Sequence, residues 1–217
     1  MRHSAEQDTR AIVEGVRFLR HADPRLADVI KRAGRCQIRA ERPATLFASL
    51  ARAIVYQQLS GKAAGTIFSR VCDLYPGKKR GLTASRILAT PDSDLRSAGL
   101  SRNKLLSLQD LARRIESCSL PALARLNKLD DEAVVDALVQ VRGIGRWTAE
   151  MFLMFRLGRL DVLAVDDLGL RQGHAVIMGR KGETDRKALA RYGERWRPYR
   201  SVASWYLWRA IEFSRES

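Results

Sequence analysis

The chain has few residues that could hold a metal ion or form a disulfide. Its three cysteines, Cys36, Cys72 and Cys118, lie far apart and form no Cys-x-x-Cys pair, and its three histidines are scattered. This distribution argues against a disulfide framework, a structural zinc site and a four-cysteine iron–sulfur cluster. It is compatible with a reducing compartment such as the cytoplasm.

Long apolar runs are lacking as well. No segment reaches the ~18 apolar residues that a membrane-spanning helix needs, and the N-terminus lacks the apolar core of a secretory signal. We therefore expect no membrane partner, and we expect residues 1–10 to form a short polar tail.

Acidic residues are too few to balance the basic ones. The 217 residues include 39 Lys and Arg against 24 Asp and Glu, which gives a formal net charge of +15. Such an excess favours a polyanionic partner, nucleic acid before a membrane surface, although arginine enrichment can also follow genome composition. Hydrophobic residues make up 46% of the chain, enough for a packed core.

Strand patterns with hairpin turns are also missing, and apolar residues recur at helical spacing almost throughout. This periodicity predicts an all-α fold. Helix starts are expected at Asp23-Pro24, Ser60, Ser101 and Asp130 or Asp131, because these polar residues precede apolar-periodic segments. One long helix is predicted from residue 47 to residue 59.

A tight turn with two glycines joins the helices predicted on either side of residues 141–146. Gly143 and Gly145 allow positive φ and let the backbone approach another molecule closely, while Ile144 between them can pin the turn to the core. The next helix begins just after Gly145, so its first N–H groups and Arg146 form a predicted phosphate site. An ordinary turn between helices is the alternative, but the basic chain favours DNA contact without base readout.

The hairpin segment Val141–Ala149 resembles that of the helix-hairpin-helix DNA glycosylases, specifically the AlkA-like 3-methyladenine DNA glycosylase II group of the HhH-GPD superfamily. Four further segments resemble this group's intercalating loop, helix-start motif, catalytic turn and C-terminal signature. In that order they are Ile54–Ser60, Gly99–Lys104, Val165–Gly169 and Trp196–Ser201. Five motifs in the same order over residues 45–210 are far more specific than any one of them.

This resemblance implies a monofunctional DNA glycosylase that hydrolyses the N-glycosidic bond of alkylated purines in duplex DNA, the first step of base excision repair. The lesion range stays open among 3-methyladenine, 7-methylguanine, ethenoadenine and hypoxanthine. We expect a monomer at the bacterial nucleoid that binds double-stranded DNA containing damaged bases and uses no organic cofactor.

The resemblance also implies two helical lobes that flank a cleft. We expect residues 47–159 to form the first lobe and residues 1–46 together with 160–217 to form the second. Some family members carry an additional N-terminal domain with a β-sheet. The segment before residue 47 is too short for it, so we expect none here.

Two adjacent carboxylates, Asp166 and Asp167, follow the hairpin after one short loop. Residue types alone do not choose between them, since either could cap a helix. The resemblance assigns catalysis to Asp167 and leaves Asp166 as a cap or loop anchor. A fixed carboxylate stabilises positive charge on the sugar and orients or deprotonates the attacking water.

Bifunctional family members carry a nucleophilic lysine just after the hairpin, which forms a Schiff base with the sugar. Here that position is Trp147, and no lysine lies between Lys128 and Lys181. We therefore expect no strand cleavage. A bifunctional glycosylase/lyase and a catalytically silent DNA-binding module are the two alternative functions.

By the same resemblance, Trp147 and Trp208 form aromatic walls for the flipped base, where cation–π attraction to an alkylated base contributes about 1–2 kcal/mol. Packing in the core is the alternative for each tryptophan. Met151 and Leu168 stand where some other members place tyrosines, which favours a broad or altered base range, and Tyr56 is expected at the pocket mouth.

Extrusion of a base leaves a gap in the stack that a protein side chain has to fill. The resemblance assigns Gln58 as the plug and Leu59 as the minor-groove wedge. A polar helix end and a core leucine are the alternatives.

Further DNA contacts are expected at the hairpin and at the helix start after Ser101. The predicted phosphate ligands are Gly143, Ile144, Gly145, Arg146, Thr148, Arg102 and Lys104. The basic turn Lys78–Arg80 is a further phosphate candidate, but it is equally compatible with a solvated loop. A sodium, potassium or magnesium ion is expected to bind the backbone carbonyls of Gln140, Arg142 and Gly145, where it would assist DNA binding and not catalysis.

Overall fold

A computed structural model describes residues 2–38, 45–75 and 81–216 of the chain. Within these ranges every regular element is helical and no strand occurs, which confirms the predicted all-α class. None of the described helices is long and apolar enough to span a lipid bilayer. The basic turn Lys78–Arg80 lies outside the described residues.

Thirteen α-helices are numbered here in chain order. They are α1 Arg2–Ala22, α2 Pro24–Ala33, α3 Leu46–Tyr56, α4 Gly61–Asp73, α5 Ala84–Ala89, α6 Asp92–Ser97, α7 Arg102–Glu116, α8 Leu123–Leu126, α9 Asp131–Val139, α10 Arg146–Phe155, α11 Leu168–Ile177, α12 Arg186–Gly193 and α13 Arg200–Arg215, as far as the chain is described. A 3₁₀ turn, Glu194–Trp196, directly follows α12.

The chain divides into two compact units. One consists of Met1–Glu41 and Leu153–Ser217, and the other of Arg42–Phe152. The sequence predicts boundaries at 46/47 and 159/160, whereas these units divide at 41/42 and at 152/153, the latter within α10.

Polar side chains begin the helices where the sequence predicts them. Asp23 accepts the N–H of Arg25 at 3.1 Å, with Pro24 at the first helical position. Ser60, Ser101 and Asp130 likewise accept N–H groups three residues ahead. These caps confirm the predicted starts of α2, α4, α7 and α9.

Two predicted boundaries are wrong. The helix expected from residue 47 to residue 59 ends at Tyr56, because Gln58 adopts a left-handed φ of 58° that no α-helix accommodates. Gln58 and Leu59 therefore lie in the loop between α3 and α4. The N-terminal segment expected to be a polar tail is helical from Arg2 onward.

The core of the Arg42–Phe152 unit is built around α7, which packs against α3 and α5. Leu105, Leu108 and Leu111 of α7 are buried in this core, as are Leu50 and Ile54 of α3. Residues three apart lie on the same side of a helix, so the apolar stripe of α7 leaves its other faces to polar side chains.

In the other unit, α11 packs closely against α13. A Cβ atom added at Gly173 of α11 would lie 2.2 Å from the backbone carbonyl oxygen of Leu207 in α13. Only a glycine allows this approach, and the residue after Leu207 is Trp208. The packing of these two helices therefore determines where the Trp208 side chain lies.

Candidate active site and DNA interface

The Asp167 carboxylate is held in one orientation at the start of α11. Its Oδ1 accepts the backbone N–H of Leu170 at 2.8 Å and the indole Nε1–H of Trp208 at 3.0 Å. Its own N–H donates to the carbonyl of Ala164 at 2.9 Å. Hydrogen bonds to an ionised acceptor are among the stronger ones, so this half-buried anion is rigidly placed.

Asp166, its exposed neighbour, has a different role. Arg186 Nε lies 2.8 Å from Asp166 Oδ1, in an ion pair at the surface. Asp166 is therefore a loop anchor, and Asp167 itself is the N-cap of α11. The sequence leaves cap and anchor open for Asp166; the structure assigns the cap to Asp167 and gives Asp166 a surface ion pair with Arg186.

Trp208 reaches Asp167 because Gly169 leaves room for it. A Cβ atom at Gly169 would lie 2.9 Å from Asp167 Oδ1 and 3.0 Å from Trp208 Cδ1. The ring of Trp208 stacks on Phe155, with centroids 5.9 Å apart and an interplanar angle of 25°. Sequence reasoning singled out neither Phe155 nor the N–H of Trp208, since both depend on contacts across more than 40 residues of chain.

The resemblance assigns catalysis to Asp167, and on that prediction Trp208→Phe is expected to slow base release while keeping an aromatic ring against Phe155. Loss of a hydrogen bond to a charged group costs about 1.5–3 kcal/mol, so the rate should fall roughly ten- to hundredfold. The measurement is the single-turnover rate of base release. Trp205→Phe on the same helix is the control, and equal rates for wild type and Trp208→Phe would contradict a role for the N–H.

The two glycines of the hairpin differ in what the fold requires. Gly143 has a φ of 77°, and a Cβ atom there would lie 2.6 Å from Ser107 Oγ. Gly145 does not use the positive φ that glycine allows, and an added Cβ there would meet open space. Ile144 is buried between them, as expected. The fold thus explains Gly143 but not Gly145, where the close approach of another molecule stays a prediction.

Arg146, at the first position of α10, contacts two carboxylates in this structure. Its Nη1 donates to Glu132 Oε2 at 2.9 Å, and its Nε donates to Glu150 Oε1 at 3.2 Å. The hydrogen bond from Arg146 lowers the pKa of Glu132. A DNA phosphate would compete with these carboxylates, so the predicted phosphate role of Arg146 requires that it exchange partners.

Lys104 was also predicted to bind phosphate, and its ammonium group instead lies at the end of α3. Its Nζ donates to the carbonyl of Val55 at 2.6 Å, and burial lowers its pKa. Lys104 thereby satisfies a carbonyl of the last helical turn. Arg102, two residues earlier, is exposed, and the phosphate role predicted for it stays a prediction.

Among the residues predicted to line the base pocket, exposure varies widely. Trp147 is 41% exposed and shares a face of α10 with the half-buried Met151 four residues on. Leu168, the residue after Asp167, is 49% exposed. Tyr56 is half-buried, with the Arg52 guanidinium 4.4 Å from its ring centroid. Large apolar side chains exposed to this extent, such as those of Trp147 and Leu168, present surface that a ligand can cover.

The loop between α3 and α4 presents its two predicted DNA-inserting side chains. Gln58 is exposed, and Leu59 is 40% exposed, so Leu59 is no core leucine. Gln57 behaves differently, since its Nε2 donates to the carbonyl of Gly143 at 2.8 Å and to Thr148 Oγ1 at 3.3 Å. Sequence reasoning gave Gln57 no role, and nothing local could have, because its partners lie 86 and 91 residues away.

Comparison with known proteins adds independent findings. The family model described as HhH-GPD superfamily base excision DNA repair protein matches residues 51–198. DNA-3-methyladenine glycosylase 1 of Schizosaccharomyces pombe is 33% identical over 168 residues, which cover 77% of this chain and 73% of that protein. The range matched by the family model includes the hairpin and Asp167.

Two solved structures are similar over most of the chain. The Schizosaccharomyces pombe 3-methyladenine DNA glycosylase in complex with abasic DNA has a TM-score of 0.79 at 30% identity, covering 90% of this chain and 95% of that one. A DNA-3-methyladenine glycosidase from Bacillus halodurans has a TM-score of 0.79 at 39% identity, covering 92% of this chain and 89% of that one.

Proposed function

Because this chain belongs to the HhH-GPD superfamily of base excision DNA repair proteins, we propose that it is a monofunctional DNA glycosylase acting on alkylated purines. It hydrolyses the N-glycosidic bond of bases such as 3-methyladenine and 7-methylguanine in duplex DNA and leaves an abasic site. The observation that carries this proposal is the fixed carboxylate of Asp167, held by the N–H groups of Leu170 and Trp208.

The reaction needs one anion beside the sugar. As the bond between C1′ and the base nitrogen breaks, its electron pair goes to the base and cancels the positive charge that alkylation placed there. The sugar becomes cationic in turn, and the Asp167 carboxylate stabilises that charge. Water then adds to C1′ and gives a proton to the carboxylate.

Trp147 supports hydrolysis in place of lyase chemistry. It occupies the position of the nucleophilic lysine in bifunctional relatives, and no lysine lies between Lys128 and Lys181. Without an amine there is no Schiff base with the sugar and no β-elimination. Trp147 and Trp208 supply π-faces for a cationic base, and Met151 and Leu168 leave the pocket less specific for one lesion.

The DNA partner is a damaged duplex bound mainly through its backbone. The first turn of α10 offers N–H groups outside the helical ladder, beside the exposed Gly145, and both features suit a phosphate. Gln58 and Leu59 fill the gap that base extrusion leaves. We place the enzyme, as a monomer, at the nucleoid of the bacterial cytoplasm, where its net positive charge favours DNA.

A cation at the hairpin belongs to the proposal as a binding aid. Gln140 and Arg142 are exposed and lie between α9 and α10, so the helical ladder does not use their carbonyls. The Gly145 carbonyl accepts the N–H of Ala149 at 3.1 Å and keeps a second lone pair. Neutral oxygens of this kind suit sodium, potassium or magnesium, which would link the hairpin to a phosphate.

Release of free bases from methylated duplex DNA tests the proposed function. We expect the protein to release methylated purines and to leave the strand uncut. No release would overturn the proposed substrate class and leave a lesion-binding module or an enzyme for another lesion. A covalent complex trapped by borohydride would instead identify a bifunctional glycosylase/lyase and overturn the role given to Trp147.

The two hairpin glycines should respond differently to alanine. Gly145→Ala is expected to change the free energy of unfolding by less than about 0.5 kcal/mol, since its Cβ meets open space. Its affinity for duplex DNA should fall roughly tenfold, because a methyl group interferes with a charge-assisted phosphate contact. Gly143→Ala should cost about 1–3 kcal/mol of stability through its positive φ.

Fluorescence anisotropy with duplex DNA and thermal unfolding without DNA provide both readouts. Unchanged DNA affinity in Gly145→Ala would remove the hairpin glycine from the phosphate site.

A further inference from the structure

The Gln57 side chain connects the α3–α4 loop to the hairpin. Its amide nitrogen donates to the Gly143 carbonyl at 2.8 Å and to Thr148 Oγ1 at 3.3 Å. A carbonyl can only accept, so the amide nitrogen, and not the amide oxygen, must face the hairpin. One side chain thus bonds both the turn and the second hairpin helix, α10.

Helix α7 supports the same two elements. Lys104 Nζ donates to Val55, one residue before the end of α3, and Asp110 Oδ2 accepts the N–H of Arg142 at 2.8 Å. Ser107 lies under Gly143, where its Oγ would be 2.6 Å from an added Cβ. Burial alone would raise the pKa of Asp110. The hydrogen bonds from the Arg142 N–H and from Arg114 lower it below its ordinary value.

The residues that follow Gln57 are the exposed ones. Gln58 has a φ of 58°, which turns the chain sharply, and Leu59 is 40% exposed. A non-glycine residue in this conformation costs energy that neighbouring contacts must offset. The contacts shown on either side are those of Gln57 to the hairpin and of Ser60 to the start of α4.

We propose that Gln57 is a positioning residue that couples the Gln58–Leu59 tip to the phosphate-binding hairpin. The inference rests on the proposed function, in which the hairpin binds the DNA backbone and the tip enters the base stack. Gln57 fixes the separation between these two contacts. Binding of a phosphate at Gly145 then places the tip at the base step to be opened, and wedge insertion does not depend on a chance loop conformation.

Gln57→Met tests this coupling, because methionine has similar length and donates no hydrogen bond. The single-turnover rate of base release from methylated duplex DNA is measured for wild type, Gln57→Met, Leu59→Ala and the double variant. We expect Leu59→Ala to slow release in the wild-type background, and the size of that effect is compared with its size in the Gln57→Met background. We expect it to be about fivefold smaller in the Gln57→Met background, within the usual range for coupled residues.

Affinity for undamaged duplex DNA should stay within about twofold in Gln57→Met, because backbone contacts dominate it. Gln109→Met is the matched control. The Nε2 of Gln109 in α7 donates to Oδ1 of Asp92 in α6 at 2.7 Å, so this variant loses one hydrogen bond that involves neither the loop nor the hairpin. It should keep the full effect of Leu59→Ala. Independent, multiplying effects of Gln57→Met and Leu59→Ala would overturn the proposal.

Two further measurements separate this proposal from folding and from the proposed function. Gln57→Asn keeps the amide but shortens its reach, and it should lose the coupling too, which tests the idea if Gln57→Met folds poorly. If wild type releases no base, the proposed function is wrong. The same four-variant cycle, measured as affinity for abasic-site duplex, then still decides whether Gln57 couples tip and hairpin.

Discussion

Asp167→Asn is expected to reduce base release at least about a hundredfold, the usual cost of removing one electrostatic stabiliser of a transition state. Asparagine keeps Oδ1, which still accepts the N–H groups of Leu170 and Trp208, and it is a good N-cap residue. The fold should therefore persist. Only the negative charge is lost, which the proposed function places beside the sugar, so affinity for duplex DNA should be unchanged or higher.

The comparison with Asp166→Asn makes the experiment specific. That variant loses the same charge one residue away and breaks only a surface ion pair with Arg186, which contributes little. We expect it to release methylated purines at near the wild-type rate. If Asp167→Asn also retained near wild-type release, another group would be the catalyst.

Gly173→Ala should have the largest effect on stability. Its new methyl group would lie 2.2 Å from the Leu207 carbonyl oxygen, and a backbone atom cannot move away by changing rotamer. Overpacking of this kind costs about 1–3 kcal/mol or more. A loss of about 3 kcal/mol should lower Tm by roughly 6–12 °C in a chain of this size.

Activity should fall as well, at temperatures where the variant is still folded. Separation of α11 and α13 carries Trp208 away from Asp167, and misplacement by about 1 Å can cost a hundredfold in rate. Gly61→Ala, at a helical position with open space around its Cβ, is the control for glycine replacement and should be neutral or slightly stabilising. A Tm within about 2 °C of wild type for Gly173→Ala would contradict the packing argument.

Most of the fold could be predicted because its signals are local. Helix starts at Asp23, Ser60, Ser101 and Asp130 follow from a side-chain oxygen within reach of N–H groups two or three residues ahead. The end of α3 was mispredicted because apolar periodicity continues through Leu59, and nothing in it marks the left-handed conformation of Gln58.

The chemistry of the site could be predicted in type and only partly in geometry. The hairpin and the aspartate pair are each a short continuous segment of sequence, so the family resemblance identified both. The N–H of Trp208 and the stacking of Phe155 could not be predicted, because spacing along the chain gives the face of a helix and not the atoms that meet it.

The hydrogen-bond partners of Lys104 and Arg146 could not be predicted from the sequence either. A basic residue beside a helix start suits a phosphate. The sequence pattern cannot reveal that Lys104 already donates a hydrogen bond to Val55 and Arg146 to Glu132. Gln57 is the clearest case, since two adjacent glutamines look alike in sequence and the fold sends them to different partners.

The unequal demands on the two hairpin glycines have an evolutionary consequence. A descendant that no longer bound DNA but kept its fold would still need Gly143, whose φ is 77°. It would tolerate other residues in place of Gly145. Under the proposed phosphate contact, DNA binding and not the fold constrains the residue at position 145. Among divergent copies of such a gene, a residue other than glycine at position 145 would mark the proteins that no longer bind DNA for repair.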